Sequence, residues 1–170
     1  GIVIVFGVAF IMLESYRAER LKIWLNPEKY EKGYQTLQGL YAIGSGGLFG
    51  KGLGASMQKL GFVPEAQNDM IFSIICEEFG LVGAGIVVGL FLIVFYRGIK
   101  IALSCNDSFA KYLCFGILFQ LIFQTIMNLF VVVGLIPVTG VTLPFISYGG
   151  SSLLISMASI GIILNISRSF

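Results

Sequence analysis

The sequence predicts an all-α integral membrane protein: a polytopic helical bundle with about four transmembrane helices and one long polar loop. Two observations of composition and one of pattern lead there. Of 170 residues, 56% are hydrophobic and only 12% are charged, against about 25% charged in an ordinary soluble domain. Mean hydropathy is +0.91. Apolar runs recur along the chain at lengths close to the ~20 residues a helix needs to cross a bilayer. The same composition excludes a disordered chain, a disulfide scaffold and a basic nucleic-acid module. The net charge of +2 points to no acidic partner and no nucleic acid.

The first apolar run, residues 1–13, is too short to span alone and reads as the end of a transmembrane helix cut by the start of the chain. Opening on Gly1, the chain reads as a piece of a longer protein. A secretory signal is the alternative for this run, but no basic segment precedes it and no small-residue cleavage site follows. Residues 14–70 form a long, polar, Gly-rich loop with aromatic and apolar residues throughout, so an ordered segment is expected. Transmembrane helices follow at 71–96, 112–136 and 151–167, joined by loops at 97–111 and 137–150. Residues 1–170 read as the C-terminal part of a single polytopic membrane domain.

Charge leaves orientation contested. Seven basic residues, Arg17, Arg20, Lys22, Lys29, Lys32, Lys51 and Lys59, stand in the long loop, out of 11 in the chain. A simple count would put that loop in the cytoplasm, but the rule is weak for long loops.

Several chemistries can be set aside. There is no histidine, so the usual neutral-pH proton shuttle is absent. Cys76, Cys105 and Cys114 lack CxxC spacing; without histidine a zinc site is not expected, and buried free thiols are. The stretch from Gly44 to Gly52 looks like a phosphate loop, but Ser45 and Gly52 stand where the motif needs Gly and Ser or Thr. It reads chiefly as a flexible turn, with a backbone-amide phosphate cradle around Lys51 as the alternative. Gly85 and Gly89 make a GxxxG pair, read as close helix packing. Ser147, Ser151 and Ser152 have no histidine to activate them and no nucleophile elbow, so capping of the last helix is expected.

The informative cluster is Pro64-Glu65-Ala66-Gln67-Asn68-Asp69-Met70, followed by Glu77 and Glu78. Four carboxylates at a membrane boundary are costly and usually mark function. Asn68 or Asp69 is expected as N-cap of the helix that follows. In a continuous helix, Asp69 and Glu77 would lie about 80° apart in azimuth and look into one cavity. An ionised Asp at a helix N-terminus suits a general base.

These residues carry a family resemblance. The stretch from Gly33-Tyr34-Gln35 to Gly54, the stretch Pro64 to Phe72 with Glu77-Glu78-Phe79-Gly80, and the stretch from Asn128 through Gly134-Leu135-Ile136-Pro137-Val138-Thr139-Gly140 and Leu143-Pro144-Phe145-Ile146-Ser147-Tyr148-Gly149-Gly150-Ser151-Ser152 resemble the SEDS family (shape, elongation, division and sporulation proteins), closest to its FtsW and SpoVE branch. The match covers nearly the whole chain.

The resemblance implies a ten-helix peptidoglycan glycosyltransferase of the bacterial plasma membrane. The chain would be its last four helices, with loop 14–70 extracellular, loop 97–111 cytoplasmic and loop 137–150 extracellular. Such proteins polymerise lipid II into glycan strands during division, elongation or sporulation. Their partners are undecaprenyl-linked glycan, a class B penicillin-binding protein acting as transpeptidase, divisome or elongation-complex proteins, and membrane lipid.

By motif match the essential aspartate is Asp69, the general base of an inverting transfer. Lys51, Lys59, Glu65, Gln67 and Ser147 are substrate-contact candidates. Glu77, Glu78, Pro137, Gly140, Pro144, Gly149 and Gly150 shape the cavity or its loops. No cofactor is required; a divalent cation would suit the leaving pyrophosphate. Met70 replaces a Phe common in relatives, and Val138 and Thr139 stand where some carry Lys. Without the first six helices, the piece is expected to be inactive alone. The competing readings are a lipid II flippase and a non-catalytic scaffold for the transpeptidase.

Overall fold

A computed structural model describes residues 19–30, 33–56 and 68–168. Among these residues the fold is all-helical, with no strand. A short helical segment at residues 19–25 leads into a 3-10 turn at Pro27–Lys29. Four helices follow: α1, Tyr34–Gly46; α2, Ile71–Ser104; α3, Ser108–Val132; and α4, Gly150–Ser167. The last three are long and apolar enough to cross a membrane, so the chain is a multi-pass membrane protein. The expected span at 1–13 lies outside the described residues.

Each boundary has a local cause. α2 runs past the expected end at Tyr96 to Ser104, so the loop expected over 97–111 shrinks to residues 105–107. The charges that marked a loop stand on the helix itself: Lys100 Nζ lies 4.9 Å over the Tyr96 ring, a basic–aromatic pair of the kind that marks a membrane–water boundary. α3 begins earlier than expected because Asp107 caps it, accepting from the amides of Phe109 and Ala110. It ends at Val132, before Gly134 turns left-handed at φ 75°. α4 starts at Gly150 after Gly149 as N-cap, with no side-chain cap, so the serines do not cap it. Ser152 Oγ instead donates to the Gly149 carbonyl at 3.3 Å.

The described parts of the long loop are built around α1, which runs parallel to the first turns of α2. Gly39 sits against Met70 and Ser73, and Gly46 sits against the Cys76 carbonyl. Met70, Phe72, Ile74, Cys76, Phe91, Phe95, Leu121, Val132 and Leu143 form one apolar core where α1, α2, α3 and the loop after α3 meet. Ala102, Cys105, Cys114, Leu118, Ile163 and Ile166 form a second at the far end of α2, α3 and α4. The three cysteines are buried free thiols, as expected.

α2 is not continuous. Gly80 takes φ 66° and ψ −162°, breaking the helix into 71–79 and 81–104. Such a break exposes carbonyls at the end of the first half and amides at the start of the second, and hydrocarbon offers them no partners. The Gly-rich turn after α1 supplies partners for four of these groups. The amides of Lys51 and Gly52 donate to the Glu77 and Glu78 carbonyls at 2.9 and 3.0 Å, and the Gly47 and Leu48 carbonyls accept from Leu81 and Val82 at 3.0 and 3.2 Å.

Only glycine permits this approach of backbone to backbone. A Cβ on Gly50 would lie 2.1 Å from the Glu78 carbonyl oxygen, and one on Gly80 2.4 Å from the Gly50 nitrogen. Gly85 and Gly89, by contrast, meet nothing within 4 Å. Among the described residues no helix packs there.

Candidate active site

Asp69 sits in the turn just before α2, 8% exposed. It is outside the helix, and the N-cap is Met70, not Asn68 or Asp69. The azimuth between Asp69 and Glu77 therefore does not apply. The Asp69 carboxylate accepts from Gln35 Nε2 of α1 at 3.3 Å. Its main-chain carbonyl accepts from Asn128 Nδ2 of α3 at 2.8 Å, and the same amide donates to the Val141 carbonyl at 2.7 Å. Asn128 is fully buried, and its Oδ1 is the buried side-chain polar atom left without a partner among the described residues. Two helices and the loop after α3 thus converge on one aspartate.

A second polar cluster lies deeper. Glu77 has no solvent exposure. Its carboxylate accepts from Lys51 Nζ at 2.7 Å, Ser56 Oγ at 2.5 Å and Ser45 Oγ at 3.4 Å. A buried carboxylate is tolerable only when paired and hydrogen-bonded, and three segments of the long loop supply those donors. The phosphate-cradle alternative does not hold for this turn. Its amides at Gly50, Lys51 and Gly52 are bonded to the Gly46, Glu77 and Glu78 carbonyls, and the Lys51 ammonium is paired with Glu77. Glu78 is buried as well, one residue on.

The loop after α3 is fixed from several directions. Ser147 Oγ accepts from the Leu143 amide at 2.7 Å, which closes the turn around buried Pro144. Gln124 Nε2 donates to the Thr142 carbonyl at 3.0 Å. From the start of the long loop, Trp24 Nε1 donates to the Gly134 carbonyl at 2.7 Å and Arg20 to the Val138 carbonyl. Phe145, between Pro144 and Ile146, holds φ 65°, a conformation rare for a bulky residue and common at functional sites. Gly140 turns left-handed at φ 72° on the exposed arm of the loop, and Pro137 is half-buried. Gly149 and Gly150 lead into α4.

Of the residues singled out from sequence, the structure joins Asp69 to α1 and α3, Lys51 to Glu77, and Ser147 to the loop's own main chain. Lys59, Glu65 and Gln67 lie outside the described residues. Sequence reasoning gave no role to Gln35, Ser45, Ser56 or Asn128. The signal available for Asn128 was a lone amide deep in an apolar run, which must find partners when buried. Among the described residues no group of three Cys, Asp or Glu side chains could hold a metal ion.

The family model described as "Cell cycle protein", covering FtsW, RodA and SpoVE, matches residues 1–170. The chain belongs to this FtsW/RodA/SpoVE family. It is 45% identical over 163 residues to Stage V sporulation protein E of Bacillus subtilis, covering 95% of this chain and 44% of the relative. It is also 45% identical over 164 residues to the "Probable peptidoglycan glycosyltransferase FtsW" of Trichlorobacter lovleyi, covering 95% and 43%.

Among solved structures, one described as "Structural coordination of polymerization and crosslinking by a peptidoglycan synthase complex" superposes with a TM-score of 0.73 at 31% identity. It covers 98% of this chain and 48% of the other. A mutant of the rod shape determining protein RodA of Thermus thermophilus gives a TM-score of 0.60 at 38% identity, covering 76% and 39%. The chain thus spans less than half the length of the family relatives it matches.

Proposed function

We propose that the whole protein of which this FtsW/RodA/SpoVE chain is part is a peptidoglycan glycosyltransferase that polymerises lipid II, with Asp69 as general base. The observation that carries this reading is the hold on Asp69. A carboxylate at the mouth of a membrane-spanning helix is fixed by a donor from α1, while α3 fixes its main chain. Such fixing from independent elements is what general-base chemistry asks of a catalytic group. The names of relatives as peptidoglycan glycosyltransferases supply the reaction class.

In this reading an acceptor sugar hydroxyl attacks the anomeric carbon of a lipid-pyrophosphate-linked strand. The new glycosidic C–O bond forms, the C–O bond to pyrophosphate breaks, and the hydroxyl proton passes to Asp69. One displacement with inversion needs one base and no covalent intermediate. The leaving pyrophosphate carries its electron pair away and needs positive charge or amide donors. Lys51 is committed to Glu77, so this reading leaves that role to other groups. Asp69 requires no cofactor for its part, and a divalent cation at the pyrophosphate is compatible with it. The reading also places the Asp69 side of the bundle outside the plasma membrane, beside a class B penicillin-binding protein.

The test uses full-length protein with its transpeptidase partner and labelled lipid II. Polymer from wild type, and none from an Asp69→Asn variant that still folds and binds the partner, is the expected result. Equal polymer from both would remove Asp69 from the mechanism. Lipid II crossing vesicle membranes with no polymer from either would favour a flippase. Growth supported by the variant, with partner binding intact, would favour a scaffold.

A further inference from the structure

The turn after α1 has a property that neither Asp69 nor the reaction uses. Between Gly47 and Gly54 the sequence is Gly-Leu-Phe-Gly-Lys-Gly-Leu-Gly. Its three large apolar side chains point away from the protein: Leu48 is 62% exposed, Phe49 83% and Leu53 80%. Its one charged side chain, Lys51, is turned inward onto Glu77. In a water-soluble loop the reverse arrangement would be expected, charge outward and Phe and Leu inward.

The depth of the turn supplies the reason. It is hydrogen-bonded to α2 on both sides of Gly80, from Glu77 to Val82. From Leu81 to Tyr96, at the basic–aromatic boundary, the helix rises about 22 Å at about 1.5 Å per residue. The hydrocarbon core is about 30 Å thick, so Gly80 and the turn lying on it fall within it, near the edge at the N-terminal side of α2. The exposed side chains of the turn continue the exposed apolar surface of Leu81, Val82 and Ile86 on the same helix. Non-helical backbone at this depth needs internal partners, and the amides of Gly50, Lys51 and Gly52 have them.

We propose that this turn is a membrane anchor, with Leu48, Phe49 and Leu53 seated among the acyl chains of the leaflet at the N-terminal end of α2. The occupant is bilayer lipid, and the anchor stands on the fold alone, whatever the reaction. It fixes the height of α1, and through Gln35 the height of Asp69, relative to the lipid surface.

The experiment uses the full-length protein with its native cysteines replaced, reconstituted in nanodiscs of phosphatidylethanolamine and phosphatidylglycerol. A spin label is placed singly at Leu48→Cys, Phe49→Cys and Leu53→Cys. Leu90→Cys on α2 serves as the hydrocarbon reference and Asn106→Cys as the aqueous one. Oxygen accessibility exceeding that of a water-soluble nickel chelate, as at Leu90, is expected at the turn. Nickel accessibility like that at Asn106 would overturn the anchor by placing the turn in water. Protection from both would overturn it by showing that another part of the full-length protein covers the turn. Three independent positions keep the test open if one label disturbs folding.

Discussion

Asn128 and Asp69 are separated by 59 residues in sequence and joined by one hydrogen bond of 2.8 Å, from a side-chain amide to a main-chain carbonyl. The same amide reaches Val141. The position of the aspartate is therefore set by a membrane-spanning helix and shared with the loop that follows it.

Replacing Asn128 by Leu should lower kcat for lipid II polymerisation by about 100-fold, the scale of a displacement of ~1 Å in a catalytic group. KM should change little, because the substrate still binds. Stability should fall as well, by about 1–3 kcal/mol for each carbonyl, Asp69 and Val141, that loses its donor, offset in part by removal of the unpartnered Oδ1. Steady-state kinetics beside thermal unfolding of the full-length protein checks this; parallel losses in the folded fraction and activity would assign Asn128 to packing alone.

Gln35→Leu removes a donor to the Asp69 carboxylate. A loss of about 10-fold or more in kcat is expected, the scale of one hydrogen bond to a charged group. In an Asp69→Asn background the same change should add nothing, since the charge it serves is gone. A double-mutant comparison of polymer yield reads this directly, and additive losses would separate the two residues.

Lys51→Met leaves a carboxylate with no solvent exposure short of its counter-charge. Breaking a buried pair from one side costs about 3–5 kcal/mol; Lys51 is itself partly exposed, so the lower end is expected. Replacing both partners, Lys51→Met with Glu77→Leu, should recover most of the loss. Thermal unfolding in detergent of the two singles and the double tests the pair. A double variant as unstable as the sum of the singles would contradict it.

Gly80→Ala and Gly50→Ala should reduce the yield of folded protein sharply. Each would force a Cβ against main-chain atoms, 2.4 Å and 2.1 Å away respectively, at a positive φ. Gly85→Ala lies in the same helix with nothing near it and should be neutral or stabilising by up to about 1 kcal/mol. Comparing folded yield and unfolding temperature across the three variants separates helix propensity from the docked turn.

The helical class and the spans at α2, α3 and α4 were legible because a bilayer imposes length and apolarity on each crossing helix. Their ends were less so. Arg97 and Lys100 read as loop residues, yet a helix that leaves the membrane continues into water carrying its charges. The break at Gly80 was hidden because Phe79-Gly80-Leu81 differs little in composition from an unbroken apolar helix. Its cause stands some thirty residues earlier, in the Gly47–Gly52 turn. The partnership of Lys51 with Glu77 was illegible for the same reason: pairing across 26 residues leaves no local pattern. Asp69 was singled out by its surroundings in sequence, but its holders, Gln35 and Asn128, are uncharged and belong to other helices.

The capped break in α2 also bears on how Asp69 is presented. With the turn absent, an unbroken helix through Gly80 is the cheaper conformer in lipid, because a break would leave four main-chain groups without partners at several kcal/mol each. The kink is thus not a property of α2 alone. The break is stable only with α1 and its turn, which precede α2 in the chain, docked upon it, so the height and tilt at which Asp69 is presented depend on that docking.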